Sequence, residues 1–341
     1  MLSLNFSKIR KILPLVILIA APVWVILSLV LSVVYGAKNI EVETIINAFF
    51  HYDANDINHE IILSSRMPRA IGALLIGAFL AISGSIMQGI TRNPLASPSI
   101  MGVSDGSVFM ITMCMIFLPN ASSIELILFS FLGSALGVAV VFGIASILPN
   151  GFSPVRLALL GTIIGTFLSS LATGFASFFQ ISQSISFWYN SRLDQMDPQL
   201  IKISLPFAVV AIIAAIWLSK SITILSLGDE MSTNLGQRTT IIKIVASVVV
   251  MVLTGVSVAL AGKIAFIGLI IPHITRFLVG SDYKWIIPCS GVLGAVFLTL
   301  SDVLARFINY PFETPVGVIM AFIGVPFFLY LARTRGGKSY V

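Results

Sequence analysis

Apolar residues in this chain come in long runs rather than in an alternating or one-faced pattern. Such runs fill residues 12–35, 70–90, 99–118, 124–148 and 156–179, and again 200–219, 240–262, 264–279, 285–308 and 313–332. A helix needs ~20 apolar residues to cross a ~30 Å hydrocarbon core. The pattern therefore predicts an all-α, polytopic bundle of about ten spans, forming one transmembrane domain over residues 1–341. The stretch 240–279 is too long for one span, and Gly262-Lys263 divides it. The eighth segment is short and carries His273 and Arg276. The first run follows Lys8, Arg10 and Lys11 but exceeds the roughly 7–15 residues of a signal-peptide core and lacks an A-x-A site, so it reads as a retained helix. Residues 220–239 form a polar interval, read as a cytosolic loop.

Composition narrows the classes. The 341 residues are 57% AVILMFWYC and only 10% charged, against about 25% charged in a soluble domain. A soluble enzyme, a disordered regulator and a nucleic-acid-binding domain are excluded. The net charge of +6 follows from bases placed between apolar runs, as the positive-inside rule requires. With the N-terminus inside, Arg92, Arg156, Lys220, Arg238, Lys243, Arg276 and Lys284 fall inside, and the Arg333, Arg335 and Lys338 cluster puts the C-terminus there too. Lys38, Arg66, Arg69, Arg192, Lys202, Lys263 and Arg306 fall outside, with most of the acids. An even number of spans is favoured, with eight still open. Residues 61–180 and 240–332 are compatible with an inverted repeat.

Reactive chemistry is sparse. His51, His59 and His273 lack ligand spacing with carboxylates or thiols, and Cys114 and Cys289 sit in or beside apolar runs. HExxH does not occur. Gly337-Lys338-Ser339 matches only the end of a phosphate loop, since Ala332 stands where its first glycine is needed. No catalytic residue, metal site or bound cofactor is predicted; if ATP drives this protein, ATP and Mg sit on another polypeptide. Asp302 and Arg306 are one helical turn apart and can pair, and Asp105 stands near a helix start, where the dipole favours a carboxylate. A proton relay through either acid is the competing reading.

Three stretches are informative. One is Arg66-Met-Pro-Arg-Ala70, followed by Gly72, Gly77, Ser83, Gly84, Gln88 and Gly89 and then Arg92-Asn-Pro-Leu-Ala-Ser-Pro98; small residues at these spacings let helices approach closely in lipid. The second is Leu260 to Arg276, with Phe266-Ile-Gly268 and Pro272-His273. The third, Leu227 to Gly236, is a polar insertion long enough for a short helix between glycines. Together with Asp302-Val-Leu-Ala-Arg306 and Glu313-Thr-Pro-Val-Gly-Val318, they resemble the FecCD family of permeases, relatives of the cobalamin importer's membrane subunit, over about residues 12–335.

That resemblance implies a BtuC-like, type II ABC importer permease in a bacterial cytoplasmic membrane, with both termini cytoplasmic. It implies a dimer with a second copy or a paralogue, two ATPase subunits, and an extracytoplasmic solute-binding protein delivering ferric siderophore, or alternatively haem or cobalamin. Arg66, Arg69 and Arg306 match arginines that receive acidic residues of the binding protein; the plainer reading is snorkelling to phosphate level. Asn93 and Leu95, with Ser153 and Pro154, match cytoplasmic gate positions, although Pro154-Val155 departs from the small hydroxyl residues of the cobalamin relative, and Pro and Asn are also ordinary turn residues. Leu227, Gly228, Asp229, Glu230, Leu235 and Gly236 match the helix that couples to the ATPase, or else form a solvated connector. The central cavity is expected to be wide and mostly apolar.

Overall fold

The computed structural model describes residues 2–36, 40–99, 101–149, 154–191, 193–310 and 312–335. Side chains are described from residue 12 on, except 154–155, 187–190, 332 and 334–335. Ser153 and the Gly337-Lys338-Ser339 segment lie outside the described residues, as does the side chain of Pro154.

Among the described residues the chain is helical, without strands. α1 (Leu2–Val34) precedes a short α2 (Val42–Phe50). A continuous rod follows, made of α3 (Ile57–Glu60), a π-helical segment (Ile61–Arg66) and α4 (Met67–Thr91). Next come α5 (Val103–Phe117), α6 (Ser123–Ile147), α7 (Pro154–Phe178), α8 (Ser182–Asn190) and α9 (Pro198–Leu225). The chain closes with α10 (Asp229–Asn234), α11 (Thr239–Ala261), α12 (Ile267–Val279), α13 (Tyr283–Ile308) and α14 (Val316–Arg335). Among the described residues, 7 stretches are long and apolar enough to cross a membrane: Ile12–Val34, Ile57–Thr91, Ser123–Ile147, Arg156–Phe178, Pro198–Leu225, Thr239–Ala261 and Tyr283–Ile308. Val103–Phe117, Ile267–Val279 and Val316–Leu331 are apolar but shorter.

The rod ending in α4 is the axis of the bundle, buried along most of its length and packed by α11, α12, α13 and α9. Small residues make that possible. A Cβ on Gly84 would overlap the carbonyl of Gly268, and one on Gly77 the carbonyl of Gly294. Glycine lets these backbones touch, so that dispersion and close packing hold the helices where lipid offers no hydrophobic drive. The rod starts at Ile57, earlier than the apolar run at 70 predicts. Pro68 has no N–H for the carbonyl four residues back, and the backbone widens into the π turn just ahead of it instead of ending the helix.

α5 and α12 begin inside the bundle. Residues 93 and 96–98 are buried, as are 101–108, and Gly102 takes the left-handed conformation (φ 73°) that lets the chain turn into α5. On the other side, residues 262–266 lead into α12, whose first residues, from Ile267 to Pro272, are buried against α4 and the 92–102 segment. Irregular backbone survives at such depth only when protein covers it or it lines a cavity. The hydropathy runs start earlier, at 99 and 264, because an apolar buried turn reads like an apolar helix.

Candidate functional site

Three regions carry polar chemistry. At one end of the bundle, Arg66, Arg69 and Arg306 come together with Asp302, and all four are buried. The Arg69 guanidinium takes both Asp302 oxygens, Nε to Oδ2 at 2.9 Å and Nη2 to Oδ1 at 2.8 Å, and donates from Nη1 to Glu313 at 2.6 Å. Arg306 pairs with Asp302 one turn below it on α13 and also donates to the carbonyls of Ser32 and Tyr35, each at 2.7 Å. Arg66 donates to the carbonyls of Val33 and Val34 at 2.7 and 3.0 Å. Two guanidiniums thus cap the carbonyls at the end of α1, which have no intrahelical partner and where the dipole favours a cation. The three arginines read as surface groups in the sequence are therefore engaged internally, and the carboxylate of this cluster that reaches the surface is Glu313, whose side chain is 33% exposed. The pairing of Asp302 with Arg306 is present, with Arg69 as a second partner that sequence spacing does not announce.

A second region lies along α7 and the 262–266 loop. Two grooves of ≈ 770 and ≈ 760 Å³ meet at a ridge formed by Lys263, Ala265 and Phe266. α7 walls the first groove with Thr162, Thr166, Ser170, Thr173 and Ser177, exposed and spaced three or four residues apart. That spacing puts all five hydroxyls on one face. α14 walls the second with Val318, Phe322 and Val325. At the ridge, Lys263 Nζ pairs with the Asp105 carboxylate in the first turn of α5, and Ser169 Oγ donates to the same carboxylate at 2.7 Å. The sequence reading places Lys263 on the outer side and Asp105 near the inner start of its span. They meet because α5 and α12 both start within the bundle. The sequence reading passed over the hydroxyl row of α7, whose signal is Ser and Thr at helical spacing in an apolar run, and took Lys263 only as a break between spans on the outer side.

The third region is at the opposite end of α4. Asn93 is buried and its Oδ1 accepts the N–H of Leu95 at 2.9 Å, a side-chain turn ahead of the buried 96–98 segment. Leu95 packs with Leu269, Ile270 and Leu331, linking this turn to α12 and α14. Nearby, α10 projects between Gly228 (φ 125°) and Gly236 (φ 81°). Asp229 bridges Arg92 at 3.3 Å and Lys243 at 2.8 Å, holding α10 to the bundle. Leu227, Met231 and Leu235 stand exposed, and the first two line a cavity of ≈ 560 Å³ together with Arg92, Asp229, Glu230 and Asn234. Among the described residues no three of His, Cys, Asp and Glu gather where they could hold a metal ion.

A model of the FecCD transport family matches residues 24–334. The iron-uptake system permease protein FeuB of Bacillus subtilis (strain 168) is 58% identical over 95% of this chain and 97% of its own length. The iron(3+)-hydroxamate import system permease protein FhuB of the same organism is 48% identical, over 93% of this chain and 83% of that protein. Among solved structures, an inward-facing ABC transporter of metal-chelate type superposes with a TM-score of 0.78 at 28% identity, covering 93% of this chain and 99% of that one.

Proposed function

The chain belongs to the FecCD transport family, and from that premise we propose that it is the permease subunit of an ATP-driven importer passing a ferric siderophore delivered by an extracytoplasmic binding protein. It is a membrane protein and a transport subunit of ABC type. In this reading ATP and Mg are bound by two partner ATPases, and a second copy or a paralogue completes the pathway. Both termini lie in the cytoplasm of a bacterial cell, and about ten helices cross its membrane.

One observation carries the reading: an exposed row of hydroxyls on α7, facing a groove. Hydroxyls are poor company for lipid, whereas they suit a water-filled path that a second subunit closes from the other side. The ridge at 263–266, with α7 and α14 on its flanks, is then the wall of that path. Asn93 and Leu95 narrow its cytoplasmic end. Leu227, Met231 and Leu235, exposed around α10, seat in the ATPase, with Gly228, Asp229, Glu230 and Gly236 setting the shape of that projection. Closure of the ATPases then tilts the helices joined to it.

The binding protein's carboxylates reach Arg69 by displacing Glu313, the exposed partner, while Arg66 and Arg306 hold the end of α1 beneath. Iron rather than haem or cobalamin is favoured by the relatives, whose names are those of iron permeases. The proton-coupled alternative has little support, since Asp302 and Asp105 both carry cationic partners inside the chain.

Reconstitution tests the proposal. Proteoliposomes holding the permease, its ATPase and loaded binding protein are expected to accumulate ⁵⁵Fe-siderophore only with ATP. Accumulation driven by a pH gradient with no ATPase present overturns it.

A further inference from the structure

We propose that Lys263, held by Asp105 and Ser169, is a specificity-determining residue that favours anionic ferric chelates over neutral ones in the transport path. The inference rests on the importer reading and adds the substrate's charge to it.

The placement argues for this. Charged residues at membrane depth are costly, and they mark pathways more often than packing. Asp105 is almost enclosed, its side chain 5% exposed, whereas that of Lys263 is 32% exposed. The carboxylate therefore lies beneath, taking Lys263 and the Ser169 hydroxyl, and the ammonium stands over it toward the groove. Asp105 compensates the lysine for lost hydration and fixes where it points, leaving two N–H donors of a three-donor group. Lys263 is also the cation common to both grooves, at the ridge that separates them. Its backbone is tied as well, since the Lys263 carbonyl accepts the Ser191 hydroxyl.

The pair is neutral overall and Asp105 also lines the groove, but the ammonium is its exposed end and the carboxylate its covered one, and a cleft with low-dielectric walls focuses that oriented field. Around it the groove offers hydroxyls from Thr166, Ser170 and Thr173 on α7, which bond to oxygen-rich ligands of either sign. The hydroxyls accept any chelate; the ammonium discriminates. Iron(III) bound by three catecholate dianions carries a charge of −3, while iron(III) bound by three hydroxamate anions is neutral, so the two differ most where a fixed cation meets them.

The test uses the complete transporter in proteoliposomes, with ⁵⁵Fe uptake of a ferric tris-catecholate trianion and of a neutral ferric tris-hydroxamate, each offered on a binding protein that carries it. Lys263→Met is expected to shift the trianion-to-neutral uptake ratio about tenfold against the trianion, and Lys263→Arg to keep the wild-type ratio. Should only the trianion be imported by wild type, the same tenfold loss with Lys263→Met and recovery with Lys263→Arg support the assignment. An unchanged ratio, with both rates lowered or neither, makes the pair a packing element and overturns it. Import of the neutral chelate alone by wild type overturns it too. Import of neither probe, with ATP and all partners present, instead removes the iron-chelate reading on which it stands.

Discussion

Arg69 of α4 clasps Asp302 of α13 across 233 residues of sequence, through parallel bonds of 2.9 Å from Nε and 2.8 Å from Nη2. Such a fork–fork pair fixes both distance and orientation. It staples the axial helix to the helix whose Arg306 reaches on to the end of α1, so one carboxylate organises three elements. Removing Asp302 leaves Arg69 and Arg306 buried without their shared counter-ion. Asp302→Ala is expected to lose about 3–5 kcal/mol of stability, since a broken buried pair costs far more than an absent one. Replacing Arg69 and Arg306 by Met and Asp302 by Leu together should recover only part of the loss, because the carbonyls of Ser32 and Tyr35 then lose their donor. Thermal melts in detergent check both, and an Asp302→Ala melt matching wild type would remove the staple.

Glu313 is the part of this cluster that a docking partner meets. If it competes for Arg69, Glu313→Gln should tighten binding-protein association about two- to fivefold, the scale of a partly exposed ion pair. The gain should shrink as salt rises. Affinity measured on nanodisc-embedded transporter at low and high ionic strength decides it; no change would leave Arg69 outside the interface. Charge reversal of Arg66, Arg69 or Arg306 is a poorer experiment, because each guanidinium is already bonded inside the chain.

At the other end of the molecule, Leu227 and Leu235 are exposed without covering function in the isolated chain. Changing both to Asp should lower iron imported per ATP hydrolysed by at least about tenfold, as for anchors of an interface core. Melting in detergent should stay near wild type. Undiminished coupling would count against α10 as the ATPase's handle.

Packing makes a separate prediction. Gly84→Val drives a side chain into the Gly268 carbonyl, which cannot swing aside as a flexible side chain could. The loss should exceed about 3 kcal/mol, the upper end for ordinary overpacking, and show as a collapsed yield of folded protein. Gly143, on α6, has open space where its Cβ would go. Gly143→Ala should be neutral or up to about 1 kcal/mol stabilising from helix propensity alone. Equal behaviour of the two variants would refute the close contact.

Much of this was legible in the chain. The long apolar runs carry helix position because a membrane demands length and apolarity before anything else. The projection at Leu227–Gly236 was legible through its bracketing glycines and polar interior. Asp302 and Arg306 were legible as neighbours one turn apart. Arg69, Glu313, Lys263 and Ser169 were not, because their partners are distant in sequence and hydropathy is blind to which helix faces which. The depth at which α5 and α12 start was hidden for a related reason: Ala96, Met101, Ile264 and Phe266 are as apolar in a covered turn as in a helix.

The interior starts of α5 and α12 bear on how the protein is made. α12 has 13 residues, about 20 Å of helix, short of the bilayer's apolar depth, and Lys263 stands just ahead of it. Nascent-chain insertion machinery scores such a segment poorly. The receiving surface is α4 at Gly84, synthesised long before. The amino-terminal half is thus a mould into which the later helices are cast, and the order of synthesis is part of the fold. A fragment beginning at residue 240, expressed alone, is expected to leave α12 outside the bilayer and open to protease, and co-expression with residues 1–239 to protect it.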